Sequence, residues 1–276
     1  MAVAESVRTQ TLTPDLRRRV LAPINPPSIT TLGIWLVALI VLAWCIQGTE
    51  INLQKLERGF PAMGRFFASL WPPDNAAWLK MIEPIVATLQ MAVLGTILSV
   101  ILAFPFGLVA ARNTAPNLIV YGGARMVLNT VRAIPQLVWA IIFVAALGFG
   151  PFAGVVALGI GGLGVVGKLY AEAIEAINPR PVEAIRATGS HPLQVFAFAV
   201  LPQALPLMVS YTLLDFEANV RSATILGIVG AGGIGFELQA SFSQFKFHEV
   251  LTILLEIIIM VTAIDRVSAF VRNRII

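Results

Sequence analysis

The chain has 276 residues, 57% hydrophobic and only 12% charged, with a mean hydropathy of +0.83. A soluble domain carries about 25% charged residues, so this composition excludes a water-covered globule and points to a surface that faces lipid. The net charge of +4 comes from bases at the ends of apolar runs rather than a patch, which argues against nucleic-acid binding. The single Cys45 and the two histidines support neither a disulfide framework nor a metal site.

Residues 1–29 read as a polar, Arg- and Pro-rich cytoplasmic tail, with no cleavable signal peptide. Residues 30–276 read as one transmembrane domain of about six spans in an all-α fold. The first span is placed at 31–47. The second, 84–111, is long enough to tilt and lacks any ionisable side chain. The third ends near Leu147, before the turn GFGP (148–151). Its uncharged part, Ala133 to Leu147, covers only about 22 Å of a roughly 30 Å core. The span is therefore started at 121, which carries Arg132 into or near the membrane. The fourth span is 152–173, with the small-residue run GIGGLGVVG (159–167) that lets helices approach closely. The fifth is 203–228 and the sixth 249–271.

Lys and Arg in short loops set the orientation. The tail (Arg8, Arg17, Arg18, Arg19), the second-to-third connection (Arg112, Arg125), the fourth-to-fifth connection (Lys168, Arg180, Arg186) and the C-terminus (Arg266, Arg272, Arg274) all fall on one side of six spans. That side is read as cytoplasmic, so both termini are inside a bacterial plasma (inner) membrane. The segment 48–83 and the stretch 236–248 face out.

Near the end of the fifth span, residues 223–236 read ATILGIVGAGGIGF. Gly230, Gly232, Gly233 and Gly235 satisfy G-x-G-x-x-G, the outline of a dinucleotide fingerprint. The expected context is missing: no amphipathic helices alternate with strands, and Glu256, the acid about twenty positions on, lies in the apolar run LLEIIIMV. The glycines are read instead as a gate or turn that ends the fifth helix near the outer face.

Between the fourth and fifth spans lies PRPVEAIRATGSHPLQVFAFAVLPQALP (179–206). It resembles the cytoplasmic loop of ABC importer permeases, whose pattern is E-A-A-x3-G-x9-I-x-L-P. Glu183, Ala184, Gly189, Leu201 and Pro202 stand at the matching spacing, while Ile185 replaces the second alanine and Ala199 the isoleucine. Pro181 can start a helix, which puts Glu183 near its positive end; Gly189 allows a tight break, and His191-Pro192 restarts the chain. The resemblance implies a type I importer permease fold with a coupling helix in the loop 179–202, and Arg186 belongs to the same stretch. LLDFEANVRSATILGIVGAGGIG (213–235), WPPD (71–74), RAIP (132–135), GPFAGVVAL (150–158) and EAIEAI (172–177) are similar to permeases of phosphonate importers. VGAGGIG is shared with methionine-type importers.

The resemblance further implies a second copy of the permease as homodimer partner, two ABC ATPase subunits under the coupling helix, and an extracytoplasmic phosphonate-binding protein over 48–83 and 230–248. ATP and Mg would be bound by the ATPase, leaving this chain without cofactor or catalytic residue. Intramembrane charges are functional candidates. Glu217 and Arg221, four residues apart, share a helix face and can pair. A guanidinium offers planar donors to phosphoryl oxygens, so Arg221, with Glu217, Asn219 and Ser222, is a candidate anion path; a purely structural pair is the other reading. Arg132, beside the helix-breaking Pro135, either lines that path or satisfies freed carbonyls. Phosphite, phosphate esters and methionine are alternative cargoes. An ion-driven secondary transporter would show inverted repeats and acid relays, and a membrane-embedded enzyme would need a His, Asp or Glu cluster; the sequence has neither.

Overall fold

The computed structural model describes residues 29–49 and 53–275. The expected tail 1–29 lies almost entirely outside the described residues. The chain divides into two units, Met1–Gly64 and Arg65–Ile276.

In the first unit, α1 (Ile29–Gly48) is apolar along its whole length. Trp35, Leu39, Ile40 and Trp44 are all exposed. A helix apolar on every side is suited to lipid. At 1.5 Å per residue its 20 residues reach about 30 Å, the thickness of a bilayer core. It covers the residues of the expected first span, 31–47. After it comes α2 (Leu53–Leu70), which no span expectation covered and which runs across the boundary between the units.

The second unit is helical throughout the described residues. A one-turn helix, α3 (Ala77–Lys80), leads into α4 (Ile82–Val109). Asn117 then caps α5 (Leu118–Ala133), its side chain accepting from Val120 N at 2.8 Å, as N-cap residues do. Ile134 is extended, because a residue before proline is driven from the helical region. With Pro135 as N-cap, α6 (Gln136–Leu147) starts at once, bent 85° from α5. The expected third span of 121–147, with its helix break at Pro135, is therefore two helices.

Gly150 and Pro151 open α7 (Pro151–Glu175), with proline in the first turn, where its missing N–H costs nothing. α7 is the central helix, packed by α4, α5, α6 and, further along the chain, α10 (Leu201–Leu226). Its buried face is mostly glycine and alanine. In lipid the hydrophobic effect does not hold helices together, so close backbone approach must. A Cβ on Gly159 would stand 2.6 Å from Leu98 of α4, and one on Gly164 would stand 2.6 Å from the backbone nitrogen of Arg132. These glycines let neighbouring helices pack against α7.

The loop after α7 holds α8 (Pro179–Ala187) and α9 (Pro192–Val195), and a π-helical turn (196–200) leads into α10. A second π-helical turn, Gly227–Ala231, ends α10. The chain doubles back through α11 (Gly233–Ser243) and closes with α12 (Phe247–Ile275). By length and apolarity, three helical stretches among the described residues can cross a membrane, or four with the bent α5–α6 pair. The expected first and sixth spans correspond to α1 and α12, which runs 29 residues.

Candidate coupling site and membrane-buried charges

The coupling loop begins at Asn178. Its side chain caps α8 by accepting from Arg180 N at 3.0 Å, and Pro179 occupies the first turn. The helix therefore starts about half a turn before the expected Pro181, and Glu183 lies in the second turn, not at the positive end. Nothing on α8 is buried, so it stands off the body of the fold. Thr188 and Gly189 terminate it. Thr188 Oγ1 donates to Ile185 O at 2.7 Å, and Gly189 has φ +77°, a left-handed conformation that suits glycine. His191 then forms a reciprocal capping box with Gln194.

Gln203 closes the base of this loop. Its Oε1 accepts from Asn178 N at 3.1 Å, and its Nε2 donates to Ala199 O at 2.6 Å. The start of the loop is thus tied to the first turn of α10. Val195, Ala199 and Val200 are buried at the root. Between the loop and the end of α4 lies a cleft of about 910 Å³ whose lining includes Leu108, Asn113, Val182, Glu183, Arg186 and Leu193. Of the motif residues, Glu183, Ala184, Arg186, Gly189 and Pro202 are exposed, and Leu201 is half-buried.

Above the cleft, Arg125 forks onto Glu175 at 2.9 and 3.0 Å and donates from Nε to Ala110 O at 3.0 Å. Arg112 N also donates to Glu175, at 2.8 Å. These bonds join the ends of α4 and α7 to the middle of α5. Sequence reasoning placed Arg125 in the second-to-third connection and missed Glu175, although that residue lies inside the quoted EAIEAI.

Half-way along α10 the chain is buried. Asn219 Nδ2 donates to Thr96 Oγ1 at 2.9 Å and to Asp215 Oδ2 at 3.1 Å. Asn219 Oδ1 accepts from Gln136 Nε2 at 3.3 Å. One asparagine therefore joins α4, α6 and α10. Ser99 is fully buried, and its Oγ has no hydrogen-bond partner among the described residues. A Cβ built on Gly162 would collide with Ser99 Oγ and stand 3.2 Å from Asp215 Oδ2, so α7 seals the cluster. Asp215 has no cationic partner among the described ion pairs. It had a sequence signal that went unused: a charge inside a span, four residues before Asn219.

The expected Glu217–Arg221 pair does not form. Arg272 of α12 donates to Glu217, and Arg221 Nη1 donates to Asp265 Oδ1 at 2.9 Å. The reason is the antiparallel neighbour. α12 offers an opposite charge at both levels. Glu217 is buried, whereas Arg221 and Asp265 are 48% and 44% exposed at their side chains. Ser222 is half-buried. Arg132 is exposed in the last turn of α5 and makes no ion pair among the described residues. Glu256 is buried, and its Oε2 has no hydrogen-bond partner among the described residues; no partner span takes it up.

The glycine run forms the expected turn. Gly230 and Gly232 have φ +99° and +81°. Gly230 O accepts from Gly150 N at 3.0 Å, and Ile234 N donates to Thr88 Oγ1 at 2.8 Å. A Cβ on Gly235 would run into Thr224 O, so the end of α10 and the start of α11 touch backbone to backbone. The end of the fold opposite the coupling loop has a second cleft, about 660 Å³, whose lining includes Trp71, Asp74, Lys246 and His248. His248 Nδ1 lies 2.7 Å from Pro72 O, and Asp74 N donates to His248 O at 3.4 Å.

Residues 103–275 match the family model of the binding-protein-dependent transport system inner membrane component. The chain belongs to this family. It is 43% identical over 234 residues, 85% of each chain, to a phosphite transport system permease protein of Stutzerimonas stutzeri. It is 48% identical over 113 residues, 41% of this chain and 93% of the other, to a putative cryptic phosphonate transport system permease protein of Escherichia coli. Its fold matches a chain of the inward-facing MetNI methionine ABC transporter with a TM-score of 0.63 at 24% identity, covering 74% of this chain and 99% of that one. The chain is thus a membrane-spanning permease component with the fold of ABC importer permeases, and the Rossmann alternative is excluded.

Proposed function

We propose that the chain is the permease subunit of an ATP-driven importer of phosphorus oxyanions, with phosphonates as first cargo. The observation that carries the cargo is the likeness, across 85% of the chain, to a phosphite permease, joined by the phosphonate permease over 113 residues. The first of these also favours phosphite as the second reading.

In this proposal two copies form the path at their interface, as C₂ symmetry favours. A pair of ATPase subunits, which bind the ATP and Mg, docks under Pro179–Ala187. Glu183, Ala184, Arg186 and Gly189 meet the ATPase, and Leu201 and Pro202 carry its motion into α10. The chain itself needs no cofactor and catalyses no bond change. Arg221 faces outward from α10 and supplies donors to the anion, Asp265 holds it in place, and Ser222 and Arg132 serve as secondary polar groups. The glycine turn 230–235 is the gate. A phosphonate-binding protein docks at the far end, where the cleft beside Trp71 and His248 supports that assignment. Both termini are cytoplasmic in a bacterial inner membrane.

Growth on single phosphorus sources tests the cargo. A deletion strain, with and without the gene restored, is compared on phosphate, phosphite, 2-aminoethylphosphonate and a phosphate monoester. A gene-dependent defect only on the phosphonate is expected. A defect on phosphite alone changes the cargo and keeps the machine; normal growth on all four, with the complex expressed, sinks the phosphorus reading.

A further inference from the structure

α2 (Leu53–Leu70) is two-faced. Leu56, Phe60, Met63 and Phe67 recur at intervals of four, three and four residues, which places them on one side of a helix. Their exposures are 58, 66, 55 and 61%, so the helix does not bury that side within itself. Arg58, Arg65 and Ser69 lie on the opposite side. The helix holds three bases against one acid, Glu57. Four charges in 18 residues are too many for a spanning helix.

The helix begins four residues after α1, whose length already brings the chain to a membrane boundary. It ends at Trp71, 70% exposed, a residue type that favours the headgroup level. Trp71 lines the cleft at the end of the fold opposite the coupling loop. Gly59, Pro61 and Gly64 lie within the helix, and such residues disfavour helix in water. An isolated helix of this composition needs an apolar surface to fold against.

We propose that Leu53–Leu70 is an interfacial helix lying flat on the phospholipid leaflet at that far end. Leu56, Phe60, Met63 and Phe67 enter the boundary between headgroups and acyl chains, and Arg58 and Arg65 meet lipid phosphates. The excess of bases favours leaflets that contain anionic lipid. Its role is to fix the depth and rotation of the chain where α1 leaves the membrane. The inference rests on the chain spanning a membrane and is independent of cargo.

The full-length chain is reconstituted in phosphatidylethanolamine–phosphatidylglycerol vesicles in a Cys45→Ser background. Nitroxides are attached singly through Phe60→Cys, Met63→Cys, Phe67→Cys, Arg58→Cys, Arg65→Cys and Ser69→Cys. Collision rates with oxygen and with a water-soluble nickel chelate are compared. The first three labels are expected to favour oxygen several-fold and to report depths of about 5–10 Å below the phosphates; the last three should favour nickel. Equal ratios at all six positions overturn the proposal. So does shielding of the first three from both reagents, which would mean that a second copy of the chain covers the face. The unsubstituted chain gives a second reading with no risk to folding: a carbene label carried high on the acyl chain should modify Phe60, Met63 and Phe67. Absence of that modification also overturns the proposal.

Discussion

The loop that leads into α10 is exposed and shaped by local bonds; further along, the helix is buried and held by side chains that meet across 83 and 123 residues of sequence. The coupling loop stops and restarts itself with Asn178, Pro179, Gly189, His191 and Pro192, each acting on backbone within a few residues. The Asn219 cluster exists only once α4, α6, α7 and α10 have packed. Local devices set the shape of a part that must keep its form while exposed. Distant polar bonds fix the register of parts that lipid alone would let slide.

The largest effect is expected where the buried region is broken. Asn219→Ala strands Thr96, Gln136 and Asp215 and leaves a void. Stability should fall by about 1–3 kcal/mol, the cost of unsatisfied buried partners, read as a lower thermal midpoint of the purified complex. An unchanged midpoint would mean that water replaces the asparagine and that the cluster holds nothing together. At the other end of the comparison, Gly189→Val forces a β-branched residue into a left-handed conformation, at about 1–2 kcal/mol. Insertion and assembly should survive while ATP hydrolysis is uncoupled from uptake; uptake at the normal rate would remove the lever assignment. The smallest stability effect belongs to Arg221→Ala. Its pair with Asp265 is half exposed, and such pairs contribute about 0.2–1 kcal/mol. Uptake should drop while assembly stays intact. If assembly is lost instead, Arg221 is a tie between α10 and α12 and no part of the path.

The same contrast explains what could be read from the sequence. The first and second expected spans, 31–47 and 84–111, stand out as uncharged runs, and the loop helix was legible because its capping residues act locally. The bend at Pro135 was half legible: proline announced a break, but its 85° angle depends on α7 packing against both halves through Gly161 and Gly164. The charges were read least well. Glu217 and Arg221 look like partners along one helix, and only the antiparallel register of α12 redirects them to Arg272 and Asp265. Glu175 and Asp215 carried signals, yet their partners come from helices far away in the chain. α2 was hidden by a search for spans, since its apolar residues are diluted by charge and show only as a periodic stripe.

The clamp between Gln203 and Asn178 has a mechanical consequence. From Leu201 to Leu226 the helix is unbroken, a rod of about 39 Å at 1.5 Å per residue. A rod pivoting at its base magnifies angle into distance: a tilt of about 10° at the clamp swings the far tip by about 7 Å on that length. That tip meets the left-handed glycines 230 and 232, whose wide dihedral freedom lets the backbone yield there first. Under the proposed coupling, stiffness at one terminus and compliance at the other would pass a push on the exposed loop to the far end of α10, as far as its ties to α4, α6 and α12 yield.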